Sequence, residues 1–284
     1  MRNPETPAVR DWTLSRTYPS DSGTVAWERF GEPDAPPVVL LHGTPFSSFV
    51  WRDIAAALAH DHRVYVWDMP GYGQSEKTPD KDLSLPALGR IFAELLQHWS
   101  LSSPAVIAHD TGGGVALDAH VTHGARYDRL ALVDAVALSP WGSPFFRAID
   151  GHTEVFAGLP GTLHEALMRE YLNLASGPGL HPATLDGLLA PWLGTDGQAA
   201  FYRQLAHRGA DEPYTDRIKD GYPTITIPVR LFWGTEDTWI PVERARELTE
   251  LIDGSRLRML PGAGHLSPVD NPAALTAGLV EFLR

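Results

Sequence analysis

Residues 104–117 read PAVIAHDTGGGVAL, an apolar run that passes within one turn into a helical pattern rich in small residues. The run at 105–108 is typical of a strand buried on both faces, and the helical pattern begins at Gly113. Small residues stand two positions before Asp110 and two and three positions after it, so strand and helix can approach closely there. This pattern is typical of a nucleophile elbow, a sharp strand-to-helix turn that exposes one strained side chain.

The residue at the centre of this turn is an aspartate, Asp110, where the usual elbow carries serine. A carboxylate at a helix N-terminus is stabilised in its ionised form by the helix dipole and by free backbone N–H groups. Because its unperturbed pKa is about 3.9, it needs no base to activate it and can attack carbon to form an ester. Aspartate is also a preferred N-cap, so the turn alone fits a nucleophile or a purely structural cap.

Strand-like runs alternate with helical patterns on both sides of this turn, which is typical of a doubly wound α/β sheet. The strand-like runs are residues 37–41, 64–67, 105–108, 130–133 and 229–233, and the helical patterns are residues 51–58, 85–99, 113–123 and 242–252. Between about Ser139 and Pro223 only helical patterns occur, including residues 162–175 and 197–207. We therefore predict a core domain of residues 1–138 and 224–284 and a helical cap domain of residues 139–223, inserted after the sixth strand. A cap there would close a pocket at the carboxyl ends of the strands.

The composition excludes several classes of protein. A chain of 284 residues with 43% apolar and 20% charged residues suits a globular protein, and its net charge of −12 disfavours nucleic acid and anionic membranes as partners. It has no cysteine, no apolar segment typical of a signal peptide at residues 1–16, and no run near the ~18 apolar residues of a membrane helix. The sequence has no metal-ligand spacing such as HExxH, so we expect no metal or organic cofactor. We expect a cytoplasmic enzyme that acts on a small-molecule substrate. The oligomeric state stays open.

The loop after the first apolar strand is the first candidate partner of Asp110. It reads HGTP at residues 42–45, and it can aim the backbone N–H of Thr44 at the same point as that of Thr111. Two such donors would form an anion hole. The alternative is a simple strand-ending turn in which His42 is a structural hydrogen-bonding residue.

Two later segments carry the other candidates. Asp237 follows the strand-like run 229–233, where an orienting acid would face the cleft, and the adjacent Glu236 should point away from it. His265 lies on a glycine-rich loop near the C-terminal end of the sequence. A single histidine is more often structural than catalytic, but the order of nucleophile, acid and histidine along the chain matches the nucleophile-elbow fold.

Several motifs together resemble the α/β-hydrolase superfamily and, within it, the branch with an aspartate nucleophile. HGTP at 42–45 is similar to the HGxP oxyanion motif, DMPGYGQS at 68–75 to the D-x-P-G-x-G-x-S loop, and HDTGG at 109–113 to the HDxGG elbow. WGTED at 233–237 and GH at 264–265 are similar to the acid and base segments. The resemblance runs from about Val25 to Leu283 and implies that Ser75 is structural. This branch holds epoxide hydrolases and haloalkane and haloacetate dehalogenases.

The resemblance implies two half-reactions. Asp110 would attack an electrophilic carbon to give an ester, and His265, oriented by Asp237, would activate the water that hydrolyses it. The N–H groups of Thr44 and Thr111 would stabilise the oxyanion. Some dehalogenases of the branch take their acid from the end of the preceding strand, which makes Asp134 the rival. We favour Asp237 because its segment matches the usual acid loop more completely.

Epoxide opening needs a proton donor for the leaving oxygen, and the epoxide hydrolases use tyrosines of the cap for it. GQAAFYR at residues 197–203 resembles the segment that carries one of them, which indicates Tyr202. Tyr171 is the second candidate from its place on a predicted cap helix, with core packing as the alternative. The resemblance thus favours an epoxide hydrolase.

Halide release needs N–H donors in an apolar pocket instead. Haloalkane dehalogenases typically have tryptophan after the nucleophile and often asparagine after the HG, and the haloacetate enzymes have arginine after the nucleophile. This chain has Thr111 and Thr44 at those positions. Trp141 and Trp192 could supply indole N–H groups from the cap, although such residues more often pack. Dehalogenation is therefore the weaker alternative, and a lyase, isomerase, cyclase or receptor of the same fold stays open.

Overall fold

A computed structural model describes residues 12–149 and 151–284. Residues 1–11, on which most of the signal-peptide prediction depends, lie outside the described residues, as does residue 150. An eight-stranded sheet in the order β1-β2-β4-β3-β5-β6-β7-β8 forms the centre of the molecule. Its strands are β1 (Arg16–Ser20), β2 (Gly23–Phe30), β3 (Pro37–Leu41), β4 (Arg63–Trp67), β5 (Ala105–His109), β6 (Arg129–Val133), β7 (Val229–Gly234) and β8 (Arg256–Leu260).

The sheet is parallel from β4 to β8 and antiparallel only at the β1–β2 and β2–β4 pairs. The five apolar runs in the sequence correspond to β3 to β7, whose side chains are almost all buried because helices cover both faces. The predicted mostly parallel α/β sheet is thus confirmed. Sequence patterning missed β1, β2 and β8, since strands near the edges of a sheet are partly exposed and lack a continuous apolar run.

Eleven α-helices are present in the described part of the chain. Those outside the 139–223 region are α1 (Arg52–Leu58), α2 (Leu85–His98), α3 (Thr111–Val121), α9 (Val242–Leu251), α10 (Ser267–Asp270) and α11 (Pro272–Leu283). Between β6 and β7 come α4 (Pro144–Ile149), α5 (Thr153–Ala157), α6 (Gly161–Asn173), α7 (Pro182–Leu189) and α8 (Gly194–Ile218). We call residues 139–223 the cap segment; its status as a separate domain stays a prediction. No helix in the described ranges is both long and apolar enough to cross a membrane.

The carboxyl ends of the central strands bring the predicted site residues to one edge of the sheet. Thr44 follows β3, Asp110 follows β5, Asp134 follows β6, Asp237 follows β7 and His265 follows β8. Parallel neighbouring strands all present this end on the same side. The cap segment contacts the same edge, where the indole N–H of its residue 192 donates to a backbone carbonyl of the β3 loop at 2.7 Å.

Candidate active site

Asp110 occupies the strained turn between β5 and α3. Its backbone lies at φ 51° and ψ −124°, in the positive-φ range that few residues other than glycine, asparagine and aspartate adopt. The turn depends on two neighbouring glycines. A β-carbon on Gly43 would overlap the Asp110 side chain, and one on Gly112 would overlap the backbone carbonyl of His42. Glycine is thus required at both positions, because neighbouring atoms lie too close for a β-carbon.

The two carboxylate oxygens of Asp110 have different partners. Oδ1 accepts the backbone N–H of Thr44 at 2.6 Å, and Oδ2 lies 3.2 Å from Nε2 of His265. Burial alone would raise the pKa of Asp110, but the hydrogen bond and charge of His265, together with the backbone N–H of Thr111, lower it to about 2. The carboxylate is therefore ionised at neutral pH, with the N–H of Thr44 on Oδ1.

His265 lies between two carboxylates. Its Nδ1 is 3.0 Å from Oδ2 of Asp237, while Oδ1 of Asp237 accepts the backbone N–H groups of Trp239 at 2.8 Å and Ile240 at 2.9 Å. Burial lowers the pKa of His265, but the flanking charges of Asp237 and Asp110 raise it by more, to well above its ordinary value. The two acids thus favour the charged form of the imidazole, with Nδ1 hydrogen-bonded to Asp237 and Nε2 within 3.2 Å of Oδ2 of Asp110.

Asp134, the rival acid, is fully buried but does not contact Nδ1 of His265. Its Oδ1 accepts the backbone N–H of Gly234 at 2.7 Å. Burial and the nearby charge of Asp237 raise the pKa of Asp134 well above its ordinary value, which favours its neutral form. Asp237, and not Asp134, is therefore the acid that contacts Nδ1 of His265.

Neighbouring polar residues brace the site. His109 is fully buried, and burial lowers its pKa to about 3, so the neutral ring donates from Nε2 to the backbone carbonyl of His265 at 2.8 Å. His42 accepts the backbone N–H of Met69 at 2.9 Å and donates to a carbonyl of its own loop. The hydroxyl of Ser75 accepts a β2 backbone N–H at 2.8 Å. His42 and Ser75 are thus structural hydrogen-bonding residues.

A small cavity opens beside Asp110 under the cap segment. Its space for the centres of water molecules is about 20 Å³, enough for one or two waters. The walls come from the sheet loops and the cap segment in similar measure. They are formed by Thr44, Asp110, Thr111, Trp141, Gly142, Ser143, Phe146, Tyr171, Leu205, Arg208, Trp239 and Ile240.

The two candidate tyrosines lie in different places. Tyr171 lines the cavity and its ring stacks on Trp239 with centroids 4.6 Å apart. Its phenol oxygen accepts a hydrogen bond from Ser143 at 3.2 Å, so its own proton is not used in that bond. Tyr202 is not among the cavity-lining residues, and its hydroxyl bonds to Nδ1 of His164 at 3.1 Å.

The indole N–H groups of the two candidate tryptophans are taken up by acceptors of the protein. Trp141 lines the cavity, but its Nε1 donates to Thr215 at 3.3 Å. Trp192 is buried outside the lining and donates to the carbonyl of Pro45 at 2.7 Å. Neither N–H is free to hold a halide in this arrangement.

Sequence reasoning identified five of the twelve cavity residues and missed the other seven, among them Arg208 and Trp239. The predicted helical pattern stopped at His207, whereas α8 continues to Ile218 and brings Arg208 to the cavity. Trp239 lies two residues after Asp237 and stacks on His265 with centroids 5.0 Å apart. The signal in the sequence that could have indicated Trp239 is its position in the turn that begins at Asp237. Residues 12–149 and 151–284 contain no group of three or more histidine, aspartate or glutamate side chains that could hold a metal ion.

Comparisons with known proteins agree with this fold. The family profile described as alpha/beta hydrolase fold matches residues 36–272. The crystal structure of an alpha/beta hydrolase fold protein from Burkholderia ambifaria is 43% identical, with a TM-score of 0.90 over 94% of this chain and 97% of that one. An uncharacterized protein of Mycobacterium tuberculosis is 30% identical over 272 residues, covering 87% of this chain and 75% of its own length. The pimeloyl-[acyl-carrier protein] methyl ester esterase of Aeromonas hydrophila is 28% identical over 281 residues, covering 92% and 99%.

The profile match runs from β3 to the start of α11. It includes the turn at Asp110, the cap segment, and the segments of Asp237 and His265. A profile match over most of the sequence, joined to a solved structure at this level of identity, defines the superfamily. The predicted α/β-hydrolase fold is confirmed, and the chain belongs to the alpha/beta hydrolase fold family as a hydrolase of that fold.

Proposed function

We propose that this hydrolase acts on a small electrophilic substrate, most readily an epoxide, through a covalent ester on Asp110. The observation that carries the proposal is the state of Asp110, an ionised carboxylate in the position of the nucleophile, with Oδ1 held at 2.6 Å by Thr44. A serine at this position would need His265 as a base before it could attack. The aspartate is ready to attack without one.

In the first half-reaction, Oδ2 of Asp110 forms a bond to the electrophilic carbon while the bond from that carbon to the epoxide oxygen breaks. The electron pair of the broken bond stays on the leaving oxygen, which then takes up a proton. Oδ1 becomes the carbonyl oxygen of the ester and keeps its contact with the N–H of Thr44. The donors are therefore already in place for the oxyanion of the second half-reaction.

Ester formation itself converts His265 from an acid into a base. The charge on Asp110 is one of the two that raise the pKa of His265, and the neutral ester no longer provides it. The imidazolium then loses its proton, and overall the opened epoxide gains one. Neutral His265 takes a proton from water as the hydroxide adds to the ester carbonyl. Collapse of this adduct expels the diol, restores the Asp110 carboxylate and leaves the proton on His265.

The proton for the leaving oxygen comes from Tyr171 in this proposal, and the proton that His265 then loses converts the phenolate of Tyr171 back to the phenol. Its hydroxyl belongs to the cavity wall and accepts a hydrogen bond from Ser143, which leaves its own proton for the substrate. Tyr202, the first choice from the sequence, is engaged with His164 and is not in the wall. Dehalogenation ranks lower because the indole N–H groups of Trp141 and Trp192 donate to protein oxygens.

We expect Tyr171→Phe to slow ester formation from an epoxide by about 10²-fold, a typical contribution of general acid catalysis. Rapid-quench measurement of the first turnover isolates this step. Tyr202→Phe is the matched control, because it also removes a phenol hydroxyl from the cap segment. Its effect should be far smaller, since Tyr202 does not line the cavity. Equal slowing by both substitutions would contradict the assignment of the proton to Tyr171.

A further prediction separates the two candidate acids. Asp237→Asn should lower turnover by about 10³-fold or more, because an amide no longer holds the imidazolium or its tautomer. Asp134→Asn should change turnover little, since the amide oxygen can still accept the N–H of Gly234. Steady-state rates of the two variants decide the matter, and a larger loss in Asp134→Asn would move the acid to that residue.

The experiment that tests the proposed function is a single turnover in water labelled with oxygen-18, with the enzyme in excess over an epoxide that it converts. On the covalent route the diol takes its new oxygen from Asp110, and the label enters the peptide that contains Asp110. Direct attack by water would label the diol at once and leave Asp110 unlabelled. A lyase, isomerase or cyclase reaction would label neither, and either of these results would overturn the proposal.

A further inference from the structure

Arg208 is a charged residue of the cap segment that the reaction described above does not use. It lies on α8 and lines the same cavity as Asp110, with 1% of its side chain exposed. A guanidinium stays charged at any ordinary pH, so a full positive charge is buried in the cavity wall. Buried charges are normally paired and hydrogen-bonded in full.

The pairing of Arg208 within the protein is incomplete. Its Nη2 donates to the backbone carbonyl of Leu83 and lies 3.0 Å from Oδ2 of Asp211. Its Nε and Nη1 atoms are buried and have no hydrogen-bond partner among the described residues. Leaving such donors unsatisfied is costly, so this group is suited to an acceptor that arrives from the cavity.

The remaining walls restrict what that acceptor can be. Trp141, Phe146, Leu205, Trp239 and Ile240 present mostly apolar surface, in which a charge-assisted hydrogen bond is strong. Asp110 carries the opposite charge in the same wall. An anionic group is therefore attracted to Arg208 and repelled by Asp110, which directs the uncharged, electrophilic part of the substrate toward the nucleophile.

We propose that Arg208 binds a carboxylate group of the substrate, so that the hydrolase selects small organic acids that carry an electrophilic carbon. The electrophilic carbon of the substrate rests on the proposed function, whereas the negative charge of the substrate is inferred from Arg208 alone. A carboxylate is the most compact organic anion and suits a cavity with little free space. An arginine from the cap segment would then fix the substrate from the side opposite to the sheet loops.

The test is a calorimetric comparison of acetate and acetamide binding to an Asp110→Asn variant. These two ligands have the same shape and differ in charge, and the variant removes both the reaction and the repulsion from the aspartate. Acetate should bind about 10- to 100-fold more tightly than acetamide, the usual strength of a hydrogen bond to a charged group. Equal affinities for the two ligands would overturn the proposal.

The variants that locate the effect must not leave Asp211 as an unpaired buried charge, which would destabilise the fold. Arg208→Met combined with Asp211→Asn removes the ion pair, while the amide still accepts the N–H of Leu85 that Asp211 accepts at 2.9 Å. In the Asp110→Asn background this change should abolish the preference for acetate. The matched control, Asp211→Asn with Arg208 retained, should keep or increase it. A preference that survives loss of Arg208 would also overturn the proposal.

These binding measurements are independent of the reaction. A protein that binds acetate through Arg208 but gives no label in Asp110 would retain the carboxylate site and lose the covalent mechanism. A protein that labels Asp110 but binds acetate and acetamide equally would retain the mechanism and lose the carboxylate site. The two proposals can therefore fail separately.

Discussion

His265→Gln is expected to accumulate the Asp110 ester and to turn over at least about 10⁴-fold more slowly than the native enzyme. Ester formation uses the carboxylate of Asp110 and the proton of Tyr171, both of which the variant keeps, whereas ester hydrolysis needs a base that glutamine cannot supply. The intact mass should increase by the whole mass of an epoxide. A halogenated substrate would instead add its mass without the halogen, so one spectrum separates the two classes of substrate.

The control for this result is the same variant with Asp110→Asn added, which should show no adduct. Peptide mapping should place the added mass on residues 105–117 or a similar fragment around the turn. The substrates must be ones that the native enzyme converts. If the His265→Gln variant remained unmodified by all of them, the covalent ester would be excluded and Asp110 would act as a base or an electrostatic group.

Asp110→Asn should lose turnover by about 10⁵-fold or more while remaining folded. Asparagine tolerates the positive φ of this turn, and its amide oxygen can still accept the N–H of Thr44. An amide oxygen is a very poor nucleophile toward carbon, so no ester forms. The circular dichroism spectrum and melting temperature report the fold, and initial rates with an epoxide report the function.

One side reaction has to be excluded in this measurement, because an asparagine that deamidates regenerates Asp110. The intact mass after each assay detects it. Substantial activity in a protein that has kept its asparagine would sink the assignment of Asp110 as nucleophile. The variant also serves the binding measurements above, since it leaves the cavity intact and removes only the charge of Asp110.

The parts of the site that sequence could predict are those fixed by local geometry. The turn at Asp110 needs small neighbours within a few residues, and the segments of Thr44 and Asp237 follow strands that the sequence pattern shows. His265 follows β8, a strand that the pattern does not show, and was indicated by its glycine-rich loop and by the resemblance to the α/β-hydrolases. Their meeting point is then dictated by the parallel sheet, because all of these strands end at one edge. Local pattern and sheet topology were sufficient for Thr44 and Asp110, and the motif resemblance was needed for Asp237 and His265.

The cap segment could not be predicted in the same detail. Whether Tyr171 or Tyr202 faces the cavity depends on how α6 and α8 are rotated against their neighbours, which long-range packing decides. Arg208 was missed because charged residues on a helix are expected to face solvent. The choice between Asp134 and Asp237 likewise depended on a side-chain contact and on the burial of both acids, neither of which a strand pattern contains.

The residues of the site come from two different parts of the chain. In the proposed reaction, Asp110, Asp237 and His265 each come after a strand of the sheet, whereas Tyr171 and Arg208 both come from the insertion between β6 and β7. The choice of substrate can therefore change, in evolution or by engineering, through exchange of residues 139–223 alone. This is typical of sites grafted on a common scaffold. Libraries built on residues 139–223 that retain Tyr171 would leave Asp110, Asp237 and His265 unaltered and sample new substrates with them.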